Sequence, residues 1–187
     1  MKHPLREVMR ARRSALSDAL VKEASQRVCA RVRALHHWQT AHHIALYLPV
    51  NGEIDPRALM NDPLPSQQFY LPCITREQML HFLPFTKNTP LTPNRYGIPE
   101  PLQSEEHACG NPQLHLVIVP LVAFDATCQR LGMGAGFYDR TFANPATRPL
   151  LLGLAHDFQR VEVLDTNPWD VPLNGVITPE NCYWRTA

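Results

Sequence analysis

The residues best suited to chemistry lie in one stretch, Gln129-Arg130-Leu131-Gly132-Met133-Gly134-Ala135-Gly136-Phe137-Tyr138-Asp139-Arg140. Glycine permits positive φ and lets a ligand approach the backbone closely. Successive backbone N–H groups in such a turn can face one concavity and hold an anion. A helix opening near Phe137 would add free N–H groups and its dipole. Arg130 and Arg140 are side-chain donors for a phosphate, and Asp139 is a carboxylate suited to a divalent cation beside a polyphosphate. The stretch therefore reads as a nucleotide phosphate site. The glycines alone equally fit a tight turn joining a strand to a helix. The Walker ending Gly-Lys-Ser/Thr is absent, and the third glycine comes one place early for a dinucleotide fingerprint.

Two other groups of residues bear on this site. Lys2, Arg6, Arg10 and Arg13 recur every three or four residues and so share one helix face. That stripe either reaches towards a phosphate or faces water. Glu53 follows the apolar run Ile44–Leu48 and Pro49. It therefore lies just beyond the end of a buried strand, the edge where open α/β sheets bind ligands. A carboxylate there can pair two donors of a planar heterocycle, although an exposed loop acid fits the sequence as well.

Nine histidines and five cysteines suggest metal chemistry at first sight. The pairs His36-His37 and His42-His43 point in different directions on either a helix or a strand, so they form no ligand face. The cysteines are odd in number, scattered and without a CxxC pair, which fits free thiols in a cytoplasmic protein. The charge is uneven: residues 1–40 hold nine Lys/Arg against three Asp/Glu, within a net charge of +1. A basic N-terminal segment suits an anionic partner. No nucleic-acid motif accompanies it, and a nucleic-acid partner is not expected. No apolar run approaches the roughly 18 residues of a membrane span, and the N-terminus lacks the apolar core of a signal peptide.

The elements that must position these residues follow from periodicity. Leu5, Val8, Met9, Arg12 and Leu16 predict a helix over 4–16, and Leu20, Ala24, Val28, Val32 and Leu35 a second over 18–37. Ser17 is placed to cap the second. Buried strands are predicted at 44–48, 69–72, 79–83, 115–119 and 150–155, with 174–178 as the last. Pro56 is set to open a short helix. Residues 86–113, rich in Pro, Asn, Thr and Glu, predict a long irregular connection with an ordered turn at Asn94–Pro101. Strands alternating with helices imply one domain over 1–187: a layered α/β/α fold with a largely parallel sheet and two N-terminal helices.

In order along the chain, Lys2-x-x-x-Arg6, Tyr47-Leu48-Pro49-x-x-x-Glu53-Ile54-Asp55, Gly97-Ile98-Pro99-Glu100-Pro101, Pro120–Asp125 with Arg130–Arg140, and Trp169-Asp170-Val171-Pro172 with Val176-Ile177-Thr178 resemble the 5-formyltetrahydrofolate cyclo-ligases, also called methenyltetrahydrofolate synthetases. The resemblance implies ATP- and Mg²⁺-dependent closure of 5-formyltetrahydrofolate to 5,10-methenyltetrahydrofolate by a cytoplasmic monomer, with ADP and phosphate released. It implies ATP contacts from Lys2, His3, Pro4, Leu5 and Arg6, and from Arg130, Leu131, Gly132, Met133, Gly134, Ala135, Gly136, Phe137 and Tyr138. Leu48, Glu53 and Tyr138 would contact the folate, Arg130 and Tyr138 would serve catalysis, and Asp139 would bind Mg²⁺. The chain departs from the family pattern at Met133 and Ala135, where basic residues are common. It also departs at Phe137 (often Tyr), Leu121 (often Gly) and Asn174 (often acidic). Met133 and Ala135 motivate an alternative, a catalytically weak folate- or nucleotide-binding protein of the same fold.

Overall fold

The computed structural model describes residues 2–102 and 113–186. Along the chain run α1 (Lys2–Ser14), α2 (Asp18–Ala34), α3 (His36–Thr40), β1 (His43–Ala45), β2 (Gln68–Ile74), β3 (Leu80–Phe85), β4 (Leu91–Pro93), β5 (Pro99–Pro101), β6 (Leu116–Pro120), β7 (Ala123–Phe124), β8 (Arg130–Leu131), α4 (Phe137–Thr141), β9 (Leu150–Leu154), β10 (Gly175–Ile177) and β11 (Cys182–Trp184). Short 3-10 turns lie at Pro56–Met60, Pro145–Thr147 and Asp157–Gln159.

The apolar runs form the middle of a seven-stranded sheet of order β11-β10-β9-β6-β1-β2-β3. Its five central strands are mutually parallel, and β3 and β11 close the edges antiparallel. Leu116, Val117, Ile118 and Val119 are fully buried, because both faces of a central parallel strand are covered. One face packs against α2, α3 and the Pro56 turn through Val28, Cys29, Val32, Trp38, Leu59 and the sheet residues Ile44, Leu71, Ile118 and Leu152. The other packs Ala45, Phe82, Val117, Val119 and Val176 against Leu121, Phe124, Cys128, Phe142 and Leu173. Each such large apolar side chain contributes about 1.5–3 kcal/mol when buried. The α/β layering is as expected, except that the second layer is the β7–β8 hairpin, α4 and loops rather than long helices.

Several boundaries differ from the sequence reading. The second helix stops at Ala34 because Leu35 turns extended (φ −74°, ψ 136°), and α3 restarts at His36. Ser17 caps α2 as expected, its Oγ accepting from Leu20 N. The strand at 174–178 is not the last: β11 pairs with β10. The connection 86–113 contains the hairpin β4–β5 around Asn94–Gly97, and its residues 103–112 lie outside the described residues.

Two features of this topology build the site. The chain leaves β1 towards β2 on one side and later returns through β6 on the other, so a crevice opens between the carboxyl ends of β1 and β6. Helix α1 then packs Leu5 and Met9 onto Val122, Ala123, Leu131 and Leu164, which sets its basic face beside the glycine stretch.

Candidate active site

A cleft of about 1240 Å³ fills this crevice. Tyr47, Leu48 and Glu53 line it beyond β1, Pro120 and Leu121 at the end of β6, and the whole of Arg130–Arg140 forms one wall. Lys2, Arg6 and Arg10 line it from α1, so three of the four cations of that stripe border the cleft. Seven Lys/Arg and three Asp/Glu make up the charged lining, a local excess of positive charge in a nearly neutral chain. Such a lining focuses field on an anionic ligand.

The glycine stretch needs its glycines unequally. Gly134 (φ +108°) and Gly136 (φ +68°) adopt backbone angles that other residues rarely take. Gly136 is the N-cap of α4 and offers no side-chain cap, which leaves backbone N–H groups for a ligand. Gly132 has no positive φ and open space where a Cβ would stand. Since α4 has only five residues, local N–H groups rather than a long helix dipole make this wall suit an anion. Arg6 Nε donates to the Gly132 carbonyl at 2.8 Å, tying α1 to the loop. Arg140 braces the loop through the carbonyls of Ala135 and Gln78, both at 2.8 Å, with its guanidinium also over the Phe137 ring.

Arg130 is almost buried, with its side chain 5% exposed. It donates to the Val171 carbonyl, and its Nη2 lies 2.9 Å from Asp139 Oδ1, which also accepts from Val171 N at 3.0 Å. Next along the chain, Asp170 pairs with Lys2 Nζ at 2.6 Å and accepts from Asn167 N. Burial pushes the Asp170 carboxyl up, but the Lys2 and Asn167 hydrogen bonds and the charges of Lys2 and Arg130 outweigh it, so the group ends below its ordinary value. Asp139 and Asp170 thus share one wall. Two carboxylates beside a polyphosphate are a donor set that Mg²⁺ accepts.

The opposite end is drier. Glu53 is 6% exposed; its Oε2 accepts from Val50 N at 3.0 Å and its Oε1 lies 3.2 Å from Arg13 Nη2. Burial pushes its carboxyl up and Arg13 pulls it back only in part. Tyr138 has its hydroxyl pushed up by burial, with Arg130 opposing and Glu53 adding, so it stays a proton donor at neutral pH.

Of the residues singled out in sequence, Lys2, Arg6, Leu48, Glu53 and the run Arg130–Asp139 meet at this cleft. His3, Pro4 and Leu5 do not line it: His3 and Pro4 are exposed, and Leu5 turns to the apolar cluster under α1. Spacing put Arg13 in the cationic stripe but not at the carboxylate of Glu53, and sequence reasoning gave Asp170, Trp169 and the turn Asn94–Pro99 no place at a cleft. The blocks containing Gly97–Pro101 and Trp169–Pro172 had been noticed, but nothing in their composition revealed that they line a cleft. Among the described residues no helix is long and apolar enough to cross a membrane, and no cluster of three His, Cys, Asp or Glu could hold a metal alone.

Residues 1–179 match the model of the 5-formyltetrahydrofolate cyclo-ligase family. The chain is 36% identical to the 5-formyltetrahydrofolate cyclo-ligase of Haemophilus influenzae, over 92% of this chain and 95% of that one. It is also 36% identical to the Escherichia coli protein of the same name, over 94% and 99%. Its fold matches the solved structure of Aquifex aeolicus 5,10-methenyltetrahydrofolate synthetase with a TM-score of 0.85 at 27% identity, covering 100% of this chain and 93% of the other. The chain therefore belongs to the 5-formyltetrahydrofolate cyclo-ligase family, a family of enzymes.

Proposed function

We propose that this protein couples ATP hydrolysis to closure of 5-formyltetrahydrofolate into 5,10-methenyltetrahydrofolate, releasing ADP and phosphate. The observation that supports it is a single cleft with two chemically distinct ends: a cationic glycine wall, and a dry pocket containing Glu53 and Leu48. The folate would lie with its pterin edge donating to Glu53, and the triphosphate along Gly132–Phe137 with Lys2 and Arg6 above it. One chain supplies both walls, which is compatible with the monomer that this reading takes as the working unit. The proposal places the enzyme in the cytoplasm.

The chemistry needs little covalent help. A formamide oxygen is a poor leaving group. Transfer of the γ-phosphoryl group from ATP makes it a phosphate ester on an iminium carbon and frees ADP, N10 attacks that carbon, and phosphate leaves and takes up the proton that N10 gives up. Phosphoryl transfer depends on positioning and charge stabilisation. Arg130, fixed by Val171 and Asp139, is placed to meet charge developing on the transferred group. Tyr138, which lines the cleft and feels the charges of both Arg130 and Glu53, would donate near the formyl oxygen. Asp139 and Asp170 would hold Mg²⁺, which supplies charge neutralisation between the phosphates. Exclusion of water by the buried floor protects the activated carbon from hydrolysis.

Met133, 48% exposed on the cleft wall, and Ala135 bring no cation to the phosphates, which favours the second reading of a poorly active binder. The test is the absorbance of the methenyl product from 5-formyltetrahydrofolate and Mg²⁺, with and without ATP. Product formed only with ATP supports the enzyme. A folded protein that binds ATP yet yields no product and no ADP supports the binder.

A further inference from the structure

Arg13 is the most deeply buried charged residue among the described residues, 1% exposed, and it does not line the cleft with the glycine stretch. Its Nε donates to the Asn51 carbonyl at 2.9 Å and its Nη1 to the Leu121 carbonyl at 3.1 Å. These two carbonyls follow β1 and β6, so the guanidinium spans the crevice at its floor. Its Nη2 lies 3.2 Å from Glu53 Oε1 without the angle of a hydrogen bond, so charge rather than a directed bond links the two.

The loop bearing Glu53 is built around Arg13. Asn51 (φ +48°) and Gly52 (φ +73°) are both left-handed. A Cβ on Gly52 would stand 2.5 Å from the Arg13 carbonyl oxygen, so the loop backbone rests on α1 with no room to spare. His156 Nε2 meets the Gly52 carbonyl at 2.9 Å from the other side. Val50 N–H holds the second oxygen of Glu53.

We propose that Arg13 is a positioning residue of the folate end: it fixes the Glu53 carboxylate in the orientation and charge state that capture of the pterin requires. This rests on the proposed function, in which Glu53 meets the pterin edge. The groups facing Glu53 are Arg13 from α1, Tyr47 beyond β1 and Tyr138 from α4, with His156 facing Arg13. Among them Arg13 is the permanent cation. Desolvation disfavours an ionised carboxylate, and a fixed cation in contact is what opposes it. Without Arg13, the upward push of burial on the Glu53 carboxyl loses its main opponent, and the group is more readily protonated. A protonated carboxyl cannot accept two donors from one heterocycle edge as strongly as a carboxylate.

Two variants test this, Arg13→Met, which keeps bulk and removes charge, and Arg13→Lys, which keeps charge and removes the fork. The first readout is the carboxyl resonance of Glu53 in ligand-free, ¹³C-glutamate-labelled protein, assigned by its loss in Glu53→Gln. Its titration midpoint moves upward in Arg13→Met and less in Arg13→Lys. The second is the KM-against-kcat split. KM for the folate rises about tenfold or more in Arg13→Met at neutral pH, KM for ATP holds, and the folate defect shrinks as pH rises. Should Arg13→Met fail to fold, Arg13→Lys carries the test. Wild-type titration of Glu53 with wild-type KM in a folded variant overturns the proposal. A wild-type protein that neither binds nor converts the folate overturns the proposed function instead, whatever Glu53 does in the ligand-free titration.

Discussion

Two arginine–carboxylate pairs stand at opposite ends of one cleft, and their surroundings differ. Arg13–Glu53 is 1% and 6% exposed, with the guanidinium held by two backbone carbonyls. Arg130–Asp139 is 5% and 24% exposed, and the neighbouring Lys2–Asp170 pair is 27% and 18%. The floor pair cannot exchange partners without opening the fold. At the rim Asp139, Lys2 and Asp170 reach solvent even though Arg130 is almost buried, so an arriving anion can take Lys2 while a metal takes the carboxylates. In water-excluded surroundings a lost partner leaves an uncompensated charge, whereas at a wet rim the net worth of a pair is small. The same pairing chemistry is therefore built as fixed architecture at the Glu53 end and as an exchangeable store of charge at the glycine-loop end.

The largest effect that sharpens this contrast is expected from Arg130→Ala. Its kcat falls by about 100- to 1,000-fold, as for loss of one donor to a developing oxyanion, while KM for the folate changes little. Steady-state kinetics check it. Loss of folding with an unchanged rate per folded molecule would make Arg130 a floor-like residue and break the comparison.

A smaller effect separates two glycines of one loop. Gly134→Ala strains a residue at φ +108° and costs about 1–3 kcal/mol of stability. Gly132→Ala meets open space at ordinary φ and stays within about 0.5 kcal/mol of the parent. Denaturant midpoints of the two variants decide it, and equal losses would contradict the assigned roles.

The smallest expected effect is in pH. Burial holds the His156 imidazole below its ordinary value, with the Gly52 carbonyl opposing and Arg13 adding to the depression. The unfolded chain therefore binds more protons in mild acid, and stability falls as pH drops through the unfolded value near 6.5. Urea unfolding at pH 7.5 and 5.5 should show that fall, and His156→Gln should flatten it. An unaltered slope in that variant would remove His156 from the floor's charge system.

Much of this arrangement was legible before the structure. All but one of the apolar runs became the parallel strands because a strand buried on both faces must be apolar throughout, and the run at 79–83 became the antiparallel edge strand β3. Ser17 announced the start of α2, and the spacing of Lys2, Arg6 and Arg10 correctly put three cations on one face. Strand β11 escaped notice because Cys182 and Trp184 are exposed at the sheet edge, so it has no apolar signature. The β7–β8 hairpin was hidden by its two-residue strands. Spacing grouped Arg13 with the cleft-lining cations; only the long-range approach of the Asn51 and Leu121 carbonyls separates it from them. Asp170 took its place from its pairing with Lys2, which lies 168 residues away in sequence.

The most direct test of a cleft with two ends is calorimetric titration of ATP with Mg²⁺, and separately of 5-formyltetrahydrofolate, into Glu53→Gln and Arg6→Met. The account predicts a crossed pattern: Glu53→Gln weakens the folate about tenfold or more and leaves ATP unchanged, while Arg6→Met weakens ATP and leaves the folate unchanged. Equal weakening of both ligands by either variant, or full folate affinity in Glu53→Gln, would contradict it.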